Sequence, residues 1–253
     1  MLYIKKITQI PQKITDALNT AKENCQERLK NGDTKAARNA FDDLREIKNL
    51  IKEYLIIEQH GLCAYCMQAI QDKFRIEHWK SLSKNTEDSL EYENMLGVCY
   101  GGEKSEEPIE NKEKDERVLC CDASKGNKNI IIDPRNQIHM DKIRYDEVDL
   151  LIYTEPYDEN LEKDINNILH LNGQIRNGKM YSDTRTNLIY HRREAYKSYQ
   201  NCIENLRQKY EPNELHKAIQ DKINTIENAK IYPPFAGVIL YFLKRELKRY
   251  QEK

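Results

Sequence analysis

The sequence predicts a mainly α-helical chain in which a cysteine-rich module of short strands and turns is inserted between two helical flanks. Three observations predict it. Apolar residues recur at helical spacing on both sides of residues 61–130. Five of the seven cysteines fall between Cys63 and Cys121. No internal repeat or low-complexity linker separates the parts. The expected division is an N-terminal helical hairpin over 1–60, the module over 61–130, and short strands followed by a C-terminal helical region over 131–253, packed with the N-terminal helices.

A chain of 253 residues can build one or two domains with a sizeable core. The charged fraction of 33% with 8% aromatics describes a helix-rich surface rather than a disordered chain. A net charge of -1 does not advertise a nucleic-acid binder, so any basic surface must be local. The odd cysteine count argues against full disulfide pairing, and residues 1–30 carry no secretion signal. The expectation is a cytoplasmic protein, where clustered cysteines bind metal more often than each other. The longest apolar run, Phe235 to Leu243, is too short to span a bilayer and reads as a buried helix behind Pro233 and Pro234.

Taken in order, Tyr3 to Ile7 alternates weakly, as a short strand or an extended arm does. Ile14, Ala17, Leu18, Ala21, Cys25 and Leu29 share one helical face. Asn31-Gly32 ends that helix and Asp33 caps the next. A second helix is expected through Ala37, Phe41, Leu44, Ile47, Ile51 and Leu55, stopped by His60-Gly61. The module beyond reads as poor in apolar residues, a composition that needs a staple. Glu103 to Arg117 is charged and aperiodic, as a solvated loop is. Ile130 to Ile132, Ile143 to Tyr145 and Leu150 to Tyr153 read as strands. From Asp158 the pattern is helical again, with a long helix over about Thr184 to Lys209 and two more over Glu214 to Ala229 and Phe235 to Tyr250.

Two chemistries are interleaved in the module. Cys63-Ala64-Tyr65-Cys66 lets two thiolates reach one ion from a tight turn, and zinc prefers four such ligands in a tetrahedron. Cys99, followed by Gly101-Gly102, offers a third ligand, and Cys120 and Cys121 compete for the fourth place. Cys25 and Cys202 lie on apolar helix faces and read as core. The second chemistry is phosphodiester hydrolysis, which needs a base for water and a countercharge for the phosphate and leaving oxygen. His78 supplies a base, Glu77 and Asp122 supply hard-cation ligands, and Asn94 can fix the histidine or a neighbouring backbone group. Taken singly, Glu77 reads as a surface acid and His78 as a packed histidine beside Trp79. Adjacent strand residues also point to opposite faces, so both serve one site only if the backbone bends there.

Cys63/Cys66, Ile76-Glu77-His78-Trp79, Asn94, Cys99-Tyr100-Gly101-Gly102 and Cys121-Asp122-Ala123-Ser124-Lys125-Gly126 together resemble the HNH endonuclease superfamily in its zinc-stabilised ββα-metal form. The resemblance covers about a quarter of the chain. It implies a mainly α fold with helical flanks around an inserted ββα-metal module and a structural Zn2+ on Cys63, Cys66, Cys99 and Cys121. It further implies a catalytic Mg2+ or Mn2+ held by Glu77 and Asp122, with His78 as general base and Asn94 orienting the site. Two departures stand out: Cys99 and Cys121 are unusually far apart in sequence, and Asp122 stands where Asn or His is commoner.

More narrowly the chain is similar to the PtuB family, the HNH components of Septu-type and some retron-linked bacterial anti-phage systems. That likeness also rests on Ile132-Asp133-Pro134. It implies a PtuA-like ABC- or SMC-type ATPase as partner, nucleic acid as substrate with DNA favoured over RNA, and, in the retron-linked branch, a reverse transcriptase and its msDNA. The alternative from another class is a non-catalytic zinc-stapled adaptor of the ATPase. Arg192-Arg193, Lys244-Arg245 and Lys248-Arg249 could touch phosphates, but solvated helix faces account for such runs more simply.

Overall fold

The computed structural model describes residues 1–71, 73–84, 87–102, 119–176, 179–181 and 187–251. The architecture is mainly α with small antiparallel strand pairs. Residues 1–10 form an extended arm rather than a strand, and Met1 and Ile4 are buried. The arm is pinned to the third helix by Glu58, whose carboxylate accepts from the Lys6 ammonium and the Ile7 amide, both at 2.7 Å.

Helix α1 (Gln12–Lys30) buries Ile14, Leu18, Ala21 and Cys25, the stripe read from the sequence. The expected second helix is broken in two, α2 (Ala36–Asp42) and α3 (Ile47–Glu58). Asp33 accepts from the Lys35 amide at 2.8 Å and from the Asn39 side chain, fixing the turn before α2. The break lets α2 and α3 each present an apolar face to α1, so Phe41, Ile51 and Leu55 join one cluster with Ile14, Leu18 and Leu90. His60 and Gly61, at φ 50° and 76°, turn the chain out of α3.

Strands β1 (Arg75–His78) and β2 (Met95–Val98) pair antiparallel, with Glu77 opposite Leu96 and His78 opposite Met95. The Gln59 side chain acts as a short third rung, donating to the Gly97 carbonyl and accepting from its amide, both at 2.7 Å. Helix α4 (Cys121–Lys125) follows. The expectation of a core-poor module is corrected here. Tyr65, Met67, Ile70, Phe74, Leu96 and Val98 are all buried in the larger apolar cluster. The charged stretch 103–118 dilutes the composition of the module; the loop expected for Glu103 to Arg117 lies outside the described residues.

Among the described residues, Ile130 to Ile132 pairs with no strand. Its Ile131 and Ile132 amides donate to the Asp164 carboxylate, at 2.5 and 2.8 Å, so a buried side chain replaces the neighbouring ladder. Short helix α5 (Gln137–Met140) precedes the pair β3 (Ile143–Tyr145) and β4 (Ile152–Thr154). Helix α6 (Glu159–Lys163), capped by Asp158, runs into a π-helical turn over Asp164–Ile168. A hairpin, β5 (Gln174–Arg176) with β6 (Lys179–Tyr181), was not foreseen.

Helices α7 (Leu188–Lys209), α8 (Pro212–Glu227) and α9 (Ala236–Gln251) pack together at the C-terminal end. They share the larger cluster with the cysteine turn, whereas α1 to α3 build the smaller one. The two flanks meet where the His60 ring stacks on Tyr232 at 3.9 Å and the Tyr232 amide donates to the His60 carbonyl. Among the described residues, no helix is long and apolar enough to cross a membrane.

Four of the six cations in the basic runs of these helices are buried or paired, while Arg193 and Lys248 are exposed. Arg192 is buried and donates to the Leu150 and Leu171 carbonyls and to the Asn172 side chain. Lys244 pairs with Glu227, Arg245 with Glu147 and Arg249 with Glu246.

Candidate functional site

The four cysteines gather from three segments. Residues 63–68 form a tight turn in which the Cys63 amide donates to the Gln68 carbonyl and the Met67 amide to the Cys63 carbonyl. The Gln68 amide points at the Cys66 sulfur, 3.5 Å away. Cys99 leaves the end of β2, and Cys121 opens α4 with a φ of 54°. Between them Gly101 approaches the backbone of Cys120 so closely that a Cβ would lie 2.0 Å from the Cys120 carbonyl oxygen. With φ at 56°, this position admits only glycine without strain.

The Sγ atoms of Cys63, Cys66, Cys99 and Cys121 all lie within 4.8 Å of one another, and all four residues are buried. The closest pairs are Cys66–Cys99 at 3.6 Å and Cys63–Cys121 at 3.9 Å. A zinc ion with bonds of about 2.3 Å to four thiolates has sulfur edges of roughly 3.8 Å. The arrangement is therefore compatible with a structural zinc site. The gathered sulfurs are those of Cys63, Cys66, Cys99 and Cys121, and the Cys120 thiol lies against Cys99 and Cys121 from just before the helix. Burial pushes the Cys66 and Cys121 thiols well up, while hydrogen bonds from neighbouring thiols, Cys120 first, pull Cys99 well down.

Beside this cluster a cleft of about 510 Å³ opens along the free edge of β1. Glu77, His78 and Asp122 all line it. The alternation of strand side chains is not an obstacle, because the cleft wraps the unpaired edge. His78 turns toward α2, where its ring meets Phe41 edge-on with centroids 4.5 Å apart. Glu77 turns toward α4, where its carboxylate accepts from the Lys125 ammonium at 2.5 Å. Lys125 is itself buried and also donates to the His78 carbonyl at 3.2 Å. The sequence pattern contained Lys125 but gave it no such task.

Burial raises the Glu77 carboxyl to about 8, and the Asp122 carboxyl within hydrogen-bonding reach adds to the rise against the pull of Lys125. Asp122 also lies 3.5 Å from the Arg75 guanidinium. Burial lowers His78 to about 3, aided by the charges of Arg38, Lys125 and Lys48, so its imidazole is neutral. Its Nε2 is buried without a hydrogen-bond partner among the described residues. A buried polar atom left unsatisfied costs about 1–3 kcal/mol, a cost found at sites that await a ligand.

Asn94 does not line the cleft. Its side chain accepts from the Lys80 amide at 2.7 Å and donates to the Lys80 and Ser89 carbonyls, and its carbonyl accepts from the Trp79 amide. It thus fixes the backbone just beyond His78 rather than the imidazole itself. A second cavity of about 400 Å³, between the N-terminal arm and α9, contains Cys63 alone of the predicted site residues. Comparison of the chain with protein-family models and with curated proteins found no match.

Proposed function

We propose that this chain is a metal-dependent phosphodiesterase of the HNH type that cuts nucleic acid, DNA in preference to RNA. The single observation that carries this reading is the meeting of Glu77, His78 and Asp122 in one cleft beside four clustered sulfurs. Cys63, Cys66, Cys99 and Cys121 would hold zinc as a structural ion. Glu77 and Asp122 are two hard oxygen donors within reach of each other and would hold Mg2+ or Mn2+. Such an ion, when bound, neutralises charge on the phosphate and the leaving oxygen.

The protein's own groups do the rest. His78 is neutral and has a free acceptor position, so its Nε2 can take the proton of an attacking water. Phe41 packs edge-on against the ring, and Asn94 fixes the backbone just beyond His78. Lys125 keeps Glu77 oriented from behind. The biological setting we infer is bacterial anti-phage defence in the cytoplasm with a PtuA-like ATPase as partner, and this rests on the sequence resemblance alone.

The test is His78→Ala. Metal-dependent cleavage should fall by at least the roughly hundredfold typical of a lost general base, with the zinc content and the fold unchanged. Undiminished cleavage by that variant removes His78 from the mechanism. The Glu77–Lys125 ion pair favours a second reading, because a carboxylate already countered by an ammonium has less need of a cation. In that case the chain is a zinc-stapled adaptor of the ATPase. Zinc would then be found without cleavage of either DNA or RNA, with the ATPase present or absent.

A further inference from the structure

The hydrolytic reading places chemistry at β1 and α4, but the opposite wall of the cleft is built by α2 and α3, outside the residues that carry the family resemblance. That wall is cationic. Arg38 on α2 and Lys48 and Lys52 on α3 all line it. Lys48 and Lys52 are four residues apart and so share one helix face. Their ammonium groups sit over the Phe41 and Phe74 rings, 4.4 and 5.2 Å from the centroids, and Phe41 is the ring that holds His78.

Lys48 has a carboxylate partner, Asp42, but that side chain is 57% exposed and its hold in water is weak. Among the described residues neither Arg38 nor Lys52 has an ion-pair partner. The chain as a whole is close to neutral, and most cations of the C-terminal basic runs are buried or paired, Arg193 and Lys248 excepted. Three cations on one wall, next to an unsatisfied imidazole nitrogen, therefore form a local anion-binding surface rather than part of a general positive field.

We propose that Arg38, Lys48 and Lys52 form a phosphate track in which α2 and α3 hold the nucleic-acid backbone flanking the bond presented to His78. This rests on the hydrolytic reading for the choice of polyanion. The track positions the substrate and takes no part in proton transfer. It assigns to the N-terminal helices a substrate-holding role that the sequence offered only to the C-terminal ones.

The experiment is binding of the full chain, carrying His78→Ala to prevent cutting, to a short fluorescein-labelled duplex and to the matching single strand over a range of salt. Each phosphate contact contributes about 0.9 to the salt slope on duplex and about 0.7 on single strands. Lys48→Ala with Lys52→Ala should flatten the slope by about 1.8 or about 1.4 accordingly, and adding Arg38→Ala should flatten it by about one further contact. Lys244→Ala with Lys248→Ala serves as the control and should leave the slope unchanged. Arg38, Lys48, Lys52, Lys244 and Lys248 sit at exposed or half-buried positions, and circular dichroism checks the fold of every variant, the buried His78→Ala included.

A slope unaltered by the α3 pair, or no binding at low salt, overturns the track. Flattening by the control pair to the same extent also overturns it. The chemistry is judged separately, on chains that keep His78. If those chains cleave while the slope stays unaltered, the track fails and the hydrolytic reading stands. If they cleave nothing while the slope flattens as expected, the hydrolytic reading fails and the surface remains a nucleic-acid site.

Discussion

Lys125 shows how much a single residue can hold. A fully buried ammonium is costly to desolvate, and it is tolerated here because one bond goes to the Glu77 carboxylate and another to the His78 carbonyl. Replacing it with methionine keeps the volume but leaves the Glu77 carboxylate uncompensated. Above pH 8, where the Glu77 carboxyl ionises, Lys125→Met is expected to cost about 3–5 kcal/mol in urea unfolding, the usual cost of breaking a buried pair from one side. A loss below about 1 kcal/mol would mean that Glu77 is neutral in the folded chain and needs no partner. Sequence reading singled out Glu77, His78 and Asp122 because each adjoins a motif position among the cysteines. It gave Lys125 no partner, because a lysine before a glycine reads as a helix end and only the packing of α4 against β1 brings it to Glu77. Lys48 and Lys52 were invisible for a related reason. In sequence they look like any solvated face of an amphipathic helix.

At the scale of elements, the helices with strong apolar stripes were legible to within a few residues at their ends, α1 and α7 to α9 among them. The break between α2 and α3 was not, since the apolar spacing runs on through Leu44 and Ile47 and only tertiary packing against α1 selects two short helices over one. The Ile130 to Ile132 segment has strand composition yet no strand partner among the described residues, because the Asp164 carboxylate meets two of its amides. Long-range side-chain bonds of this kind leave no periodic trace.

Arg192 is the strongest case. The guanidinium satisfies buried acceptors on the β3–β4 turn and the segment after the π-helical turn, locking α7 against both. Arg192→Leu should destabilise the chain by roughly 3 kcal/mol or more, because several buried oxygens lose their donor at once. Arg193→Ala, one residue along on the exposed side, should stay within about 0.5 kcal/mol. Equal effects in parallel denaturation curves would show that Arg192 is no tie.

For the molecule as a whole, the sulfur cluster lies at the junction of the larger apolar core, with the cysteine turn, the end of β2 and the start of α4 all converging there. A structural ion at such a junction contributes folding energy directly. Zinc should be recovered at a single equivalent per chain. Its removal by a strong chelator should diminish the near-ultraviolet signal, to which Tyr65, Tyr145 and Tyr199 of the larger core contribute, while much of the helical signal of α1 to α3 survives. That difference follows from their separate core. A metal-free chain with an unchanged melting temperature would show that the thiols pack well enough alone.

The helix α4 is only five residues long, yet it carries Cys121 of the sulfur cluster, Asp122 of the cleft and Lys125, the partner of Glu77. So short a segment cannot lose one of these anchors and keep the others in place. Under the proposed reading, damage by oxidants or metal starvation would give a chain that is mute rather than sluggish, with no half-armed form in between.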